Sequence, residues 1–87
     1  MCSSDLGQFE WYELTVQPGG ELVSDPHEPG SREHLSVLEG ALEVRAGDAC
    51  QRLTAAETAR YAVDQSHAIA NPGLMPARAL LVVIHPT

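Results

Sequence analysis

Apolar and polar residues alternate at period two along most of this chain, and the alternation breaks at clusters of Gly, Pro, Asp and Asn. That is the pattern of short, half-buried strands joined by turns. Phe9 to Val16 reads as a first strand, with Trp11, Tyr12, Leu14 and Val16 supplying strand propensity, and it stops at Pro18-Gly19-Gly20. Glu21 to Ser24 is a short extended piece that runs into the Asp25-Pro26 turn. Arg32 to Leu38 and Ala41 to Arg45 are expected to form a hairpin across Glu39-Gly40, with Leu42 and Val44 inward and Glu43 and Arg45 outward. Gly47-Asp48 then turns the chain into Ala49 to Leu53. His67 to Ala70 puts His67 and Ile69 on one face, and Asn71-Pro72-Gly73 turns the chain out, with Asn71 as a turn-maker. The last strand, Arg78 to His85, is apolar on both faces through Leu80 to Ile84, so both faces need cover.

Local rules conflict at one place. Thr54-Ala55-Ala56-Glu57 is a capping-box pattern, and the Ala and Arg that follow favour helix. The segment to Tyr61 is barely two turns long, and so short a helix is marginal without packing. The fold that the flanking motifs resemble implies a turn near Ala56 and a strand through Ala59 to Val63 instead. The whole reads as an all-β chain, a small antiparallel β-barrel or jelly roll.

Composition narrows the function. The 87 residues suit one domain with a modest core, and no apolar run approaches the length of a membrane span. A formal charge of −7, with no Lys/Arg cluster along the sequence, argues against nucleic-acid contact through this domain. Met1 to Leu6, M-C-S-S-D-L, lacks the features of a secretory signal and matches the translation of a sequencing-adapter end, GTG read as initiator Met. Residues 1–6 are therefore set aside as a non-native leader, Cys2 with them, and 7–87 are taken as the domain. Cys50 is then the one native thiol, expected to be small and buried, which fits a reducing cytoplasm.

The candidate chemistry lies in His27 to Gly40, H-E-P-G-S-R-E-H-L-S-V-L-E-G. Pro29-Gly30 forbids a continuous helix, so His27 and Glu33 flank a bend. Beyond it Glu33, Leu35 and Val37 share one face while Arg32, His34 and Ser36 share the other. A carboxylate that points with the core needs a cation, a hydrogen-bonding shell or a proton. Imidazole with carboxylate suits iron, manganese, nickel or zinc.

Read beside Ala56 to Asn71, this stretch resembles the two motifs of the cupin family, G-x5-H-x-H-x3-4-E-x6-G and G-x5-P-x-G-x2-H-x3-N. His27 and Glu33 stand at the first His and the Glu of the first motif, followed by Gly40 at the family spacing. His67 and Asn71 stand at the His and Asn of the second. Pro29 occupies the second His position, Gly20 lies one residue too far from His27, and Ala56, Ala62 and Asp64 stand where Gly, Pro and Gly are usual. The wording H-E-P-G-x-R-E, V-L-E-G and H-A-I-A-N-P-G is similar to the cupin sensor half of bacterial regulators with an XRE-type helix-turn-helix. The resemblance implies a small-molecule effector, a DNA-binding half upstream, and a divalent metal or polar ligand at His27, Glu33 and His67. It also implies an apolar lining from Leu35, Val37, Leu42, Val44, Tyr61 and Ile69.

Two other readings stay open. One is a stand-alone metal-dependent cupin enzyme, a dioxygenase, isomerase or lyase, into which Tyr61, Asp64 and Arg78 would be drafted. The other is a barrel whose pocket polar groups satisfy one another. Binding is placed ahead of catalysis, no catalytic residue is assigned, and a homodimer through the first or last strand is expected to cover the apolar outer face.

Overall fold

The alternation is realised in a computed structural model that describes residues 9–85. The leader assigned to residues 1–6, Cys2 included, lies outside the described residues. Eight strands follow one another: β1 (Phe9–Val16), β2 (Glu21–Ser24), β3 (Arg32–Glu39), β4 (Ala41–Ala46), β5 (Ala49–Thr54), β6 (Thr58–Ala62), β7 (His67–Ala70) and β8 (Ala77–Ile84). They make two four-stranded antiparallel sheets, ordered β1-β8-β3-β6 and β2-β7-β4-β5. Among the described residues no helix is long and apolar enough to cross a membrane.

The inward residues of the two sheets meet in one core of Leu35, Val37, Leu42, Val44, Leu53 and Ile69, filled out by Val16 and the small Ala59, Ala77 and Ala79. Burial alternates along β3 and β4, as a sheet with one wet face requires.

β3 and β4 do not form the expected hairpin. β3 pairs with β6 and β8, and β4 pairs with β5 and β7. The alternation correctly put Leu35, Val37, Leu42 and Val44 inward, but that is satisfied equally by two strands lying side by side or facing each other across a core. The chain crosses between sheets at Gly40, whose φ is +80°, just after a register shift between Val37 and Glu39. A Cβ at Gly40 would stand 3.1 Å from the Cα of Ala77, so the corner needs glycine for space as well as for φ.

The capping-box segment forms a turn. The Thr54 amide and hydroxyl both donate to Glu57 Oε1, at 2.7 and 2.9 Å, and the Glu57 amide returns a bond to the Thr54 carbonyl. Instead of continuing helically, Ala56 adopts φ +74° and donates to the Val37 carbonyl, which ties the turn to β3.

Asn71 closes the β7 end. Its Nδ2 donates to the carbonyls of Val16 and Met75, both at 2.8 Å, and its Oδ1 accepts from the Gly73 amide.

One other expectation is corrected. Cys50 is exposed, because it faces outward on β5, an edge strand with little cover. β3 and β6 pair so that Arg60 is registered against His34, with Arg32 two residues along on the same outward face. Burial first, then Arg60 and Arg32, holds the His34 imidazole below its usual range.

Candidate functional site

Three strand ends and one loop converge at one mouth of the barrel. Glu33 sits near the start of β3, registered between Tyr61 on β6 and Val83 on β8, and only 3% of it is exposed. The Tyr61 hydroxyl donates to Glu33 Oε1 at 2.9 Å. Burial and the facing carboxylate push the Tyr61 phenol well above its usual range, so it remains a donor. His67 arrives from β7 in the opposite sheet and is likewise buried.

His27 comes from the β2–β3 loop, and the loop is clamped from the end of β6. The His27 amide donates to the Val63 carbonyl at 2.7 Å, and the Val63 amide donates to the Ser31 carbonyl at 3.0 Å. Gly30, with φ +91°, turns the loop, and its amide reaches Asp64 Oδ2 at 3.4 Å. The imidazole of His27 stands edge-on to that of His67, with ring centroids 5.0 Å apart.

His67 Nδ1 lies 3.0 Å from the Gln65 carbonyl. A carbonyl oxygen only accepts, so the ring hydrogen belongs on Nδ1 and Nε2 keeps a lone pair. That Nε2 is buried without a hydrogen-bond partner, 3.5 Å from Glu33 Oε2. Two acceptors face each other, and only a proton or a cation between them satisfies both.

His27, Glu33 and His67 each offer a ligand atom within 4.8 Å of the others. Ligands about 2.1 Å from one ion lie roughly 3–3.5 Å from each other, so modest side-chain rotations close the set. Two imidazoles and one carboxylate also suit iron, manganese, nickel or zinc. The residues fit the group.

A family model described as a cupin domain matches residues 12–83. The chain belongs to the cupin family. The HTH-type transcriptional regulator SutR of Escherichia coli is 34% identical over 65 residues, which are 75% of this chain and 36% of the regulator. Xanthan biosynthesis protein XanB of Xanthomonas campestris is 33% identical over 81 residues, 92% of this chain and 17% of that protein. The chain thus spans only a minor part of these curated relatives. The cupin domain of an XRE family transcriptional regulator from Enterobacter cloacae superposes with a TM-score of 0.86 at 29% identity, covering 92% of this chain and 84% of that one.

The six residues expected to line a ligand cavity are taken up by the core of the barrel. Leu35, Val37, Leu42, Val44 and Ile69 are packed into the core, and half-buried Tyr61 packs against them. A depression of about 320 Å³ opens elsewhere, along β2, β4 and β7, where Val23, Arg45 and Ser66 line it and Arg45 pairs with Glu21. It shares only His67 with the cluster, so the donor geometry, not this depression, locates the site.

Two contributors escaped the sequence reading. Gln65 acts through its main-chain carbonyl, which leaves no residue-type signal. Val63 acts through its main chain as the loop clamp, although its inward position was signalled by alternation with Ala59 and Tyr61.

Proposed function

We propose that this cupin is the effector-sensing part of a bacterial transcriptional regulator and binds a small polar molecule at a divalent ion held by His27, Glu33 and His67. The observation that carries the proposal is the buried, unpartnered Nε2 of His67 facing the Glu33 carboxylate. Iron, manganese, nickel or zinc bound there would supply Lewis acidity and coordination positions for the effector. Pro29, standing at the family's second His position, leaves the protein three ligands rather than four.

The chain's own residues divide the work. Tyr61 orients Glu33 through Oε1 and leaves Oε2 toward His67. The Gln65 carbonyl sets the tautomer of His67, and Val63 holds the His27 loop in place. The relation to SutR and to the Enterobacter domain supports sensing over catalysis and cytoplasmic action. The match to XanB favours a second reading, a cupin that forms part of a biosynthetic protein.

Metal content measured by plasma mass spectrometry, on protein purified without chelator or affinity metals, tests the site. About one equivalent in the wild type, lost in Glu33→Ala, is expected. A wild type that stays empty after iron, manganese, nickel and zinc are each added back would overturn it.

A further inference from the structure

Among the described residues, two buried side-chain polar atoms have no hydrogen-bond partner: Nε2 of His67 and Oγ of Ser31. The first belongs to the donor cluster and the second does not. A buried hydroxyl without a partner is a cost to the fold, so its partner is to be sought outside the chain.

Ser31 immediately precedes β3. Its neighbours Gly30 and Arg32 are exposed, whereas Ser31 and Glu33 are buried, so these two side chains share the inward face at period two. The Val63 amide donates to the Ser31 carbonyl, which extends the β3–β6 ladder one pair beyond Arg32 and Ala62. Ser31 therefore faces Val63 as Glu33 faces Tyr61, one same-face step of about 6.8 Å along the strand. The Val63 carbonyl in turn accepts from the His27 amide, so Ser31 and the His27 loop rest on a single residue. The Ser31 amide donates to the Glu28 carbonyl at 3.1 Å, which satisfies its main chain and leaves only the hydroxyl.

We infer that Ser31 is a recognition residue of this site and that the group it recognises is a carboxylate on the effector. The inference rests on the proposed metal site. A divalent ion held by one carboxylate and two neutral imidazoles keeps a net positive charge, which an anionic oxygen donor neutralises. A carboxylate has two oxygens, one for the ion and one that needs a hydrogen-bond donor. At this mouth the Tyr61 hydroxyl is committed to Glu33, and the Nδ1 hydrogen of His67 to the Gln65 carbonyl. The Ser31 hydroxyl is uncommitted, and its hydrogen rotates to suit an acceptor. A hydroxyl that donates to a carboxylate makes a charge-assisted bond, stronger than a neutral one. Acidic groups nearby are themselves engaged: His85 stands between Glu10 and Glu28, and Asp64 accepts from the Gly30 amide.

Titration of cobalt(II)-loaded protein with acetate, followed by the visible absorption of the ion, tests the proposal. Imidazole, which binds the ion and offers no carboxylate oxygen, is the control. Ser31→Ala removes a hydroxyl that no other group in the chain uses, so its metal-free urea midpoint is expected to equal or exceed that of the wild type. Its acetate affinity is expected to fall about tenfold or more, while cobalt and imidazole affinities stay within about twofold. Equal acetate affinity in the two loaded proteins would overturn the role of Ser31, leave the metal site standing and give the hydroxyl to a buried water. A midpoint well below the wild type, or an imidazole affinity that falls as far as that for acetate, would mark the hydroxyl as structural and overturn the role too. A loaded wild type that does not respond to acetate would overturn the carboxylate assignment. A wild type that takes up no cobalt would overturn the metal site and this inference together.

Discussion

His67 Nε2 and Glu33 Oε2 lie 3.5 Å apart although their strands belong to opposite sheets. The pair exists only because the two sheets close on each other at this mouth, and it turns two separate polar residues into one acceptor site. Its quality depends on how well each partner is held.

Tyr61 is the group that holds Glu33. Tyr61→Phe removes one hydroxyl and keeps the ring packed against the core, so the fold is expected to survive. Metal affinity is expected to fall roughly 10–100-fold, as for loss of a group that orients a ligand. Calorimetric titration with zinc or nickel of the wild type and the variant reads the difference.

Asn71 makes three hydrogen bonds from a position that is 2% exposed. Asn71→Ala leaves the Val16 carbonyl buried and unpartnered and is expected to cost about 2–3 kcal/mol in urea unfolding. Metal binding is expected to persist in the protein that remains folded, because Asn71 joins strand ends and supplies no ligand atom to the cluster.

Gly40 and Gly47 both have positive φ, and their substitutions are expected to differ. At Gly40 a Cβ meets main-chain atoms of Pro76 and Ala77 at 3.1 Å, which cannot move independently. At Gly47 it meets the far end of the Gln65 side chain, which can swing away. Gly40→Ala is expected to cost about 2 kcal/mol or more and Gly47→Ala about 1 kcal/mol, the cost of the backbone conformation alone. Urea midpoints at matched protein concentration provide the comparison.

Glu57 gives the Thr54 turn a pH dependence. The Thr54 amide first, and its hydroxyl second, hold the Glu57 carboxyl below the usual carboxylate range. A group depressed in the folded state stabilises at pH values above its unfolded pKa, and that stabilisation disappears as pH falls through the lower folded value. Glu57→Gln is therefore expected to lower the melting temperature at neutral pH, and the difference is expected to vanish in acid. Melts of both proteins across the acid range check the sign.

Much of this was legible in the chain. Each predicted strand corresponds to an observed one, because alternation and the turn residues that interrupt it act over a few neighbours. The stretch from Thr54 shows the limit of such rules. Its capping hydrogen bonds form as the pattern predicts, yet β3 recruits the Ala56 amide and the chain continues as a strand.

The inward direction of Glu33 and the presence of His27 and His67 at motif positions were readable from the sequence. Their convergence, with ligand atoms within 4.8 Å, was not, since it depends on the Val63 clamp and on the approach of the second sheet.

The sequence by itself determined which residues form strands, which of their faces point inward and which turns interrupt them, because these follow from steric and hydrophobic rules that act over a few residues. Only the tertiary structure decided which strands pair. It carried the chain across at Gly40 where a hairpin was expected, set Arg60 beside His34, exposed Cys50 on an edge and brought the His67 lone pair to the Glu33 carboxylate. Those relations join residues distant along the chain, and their geometry is set by how two sheets pack around a common core, which no local pattern encodes.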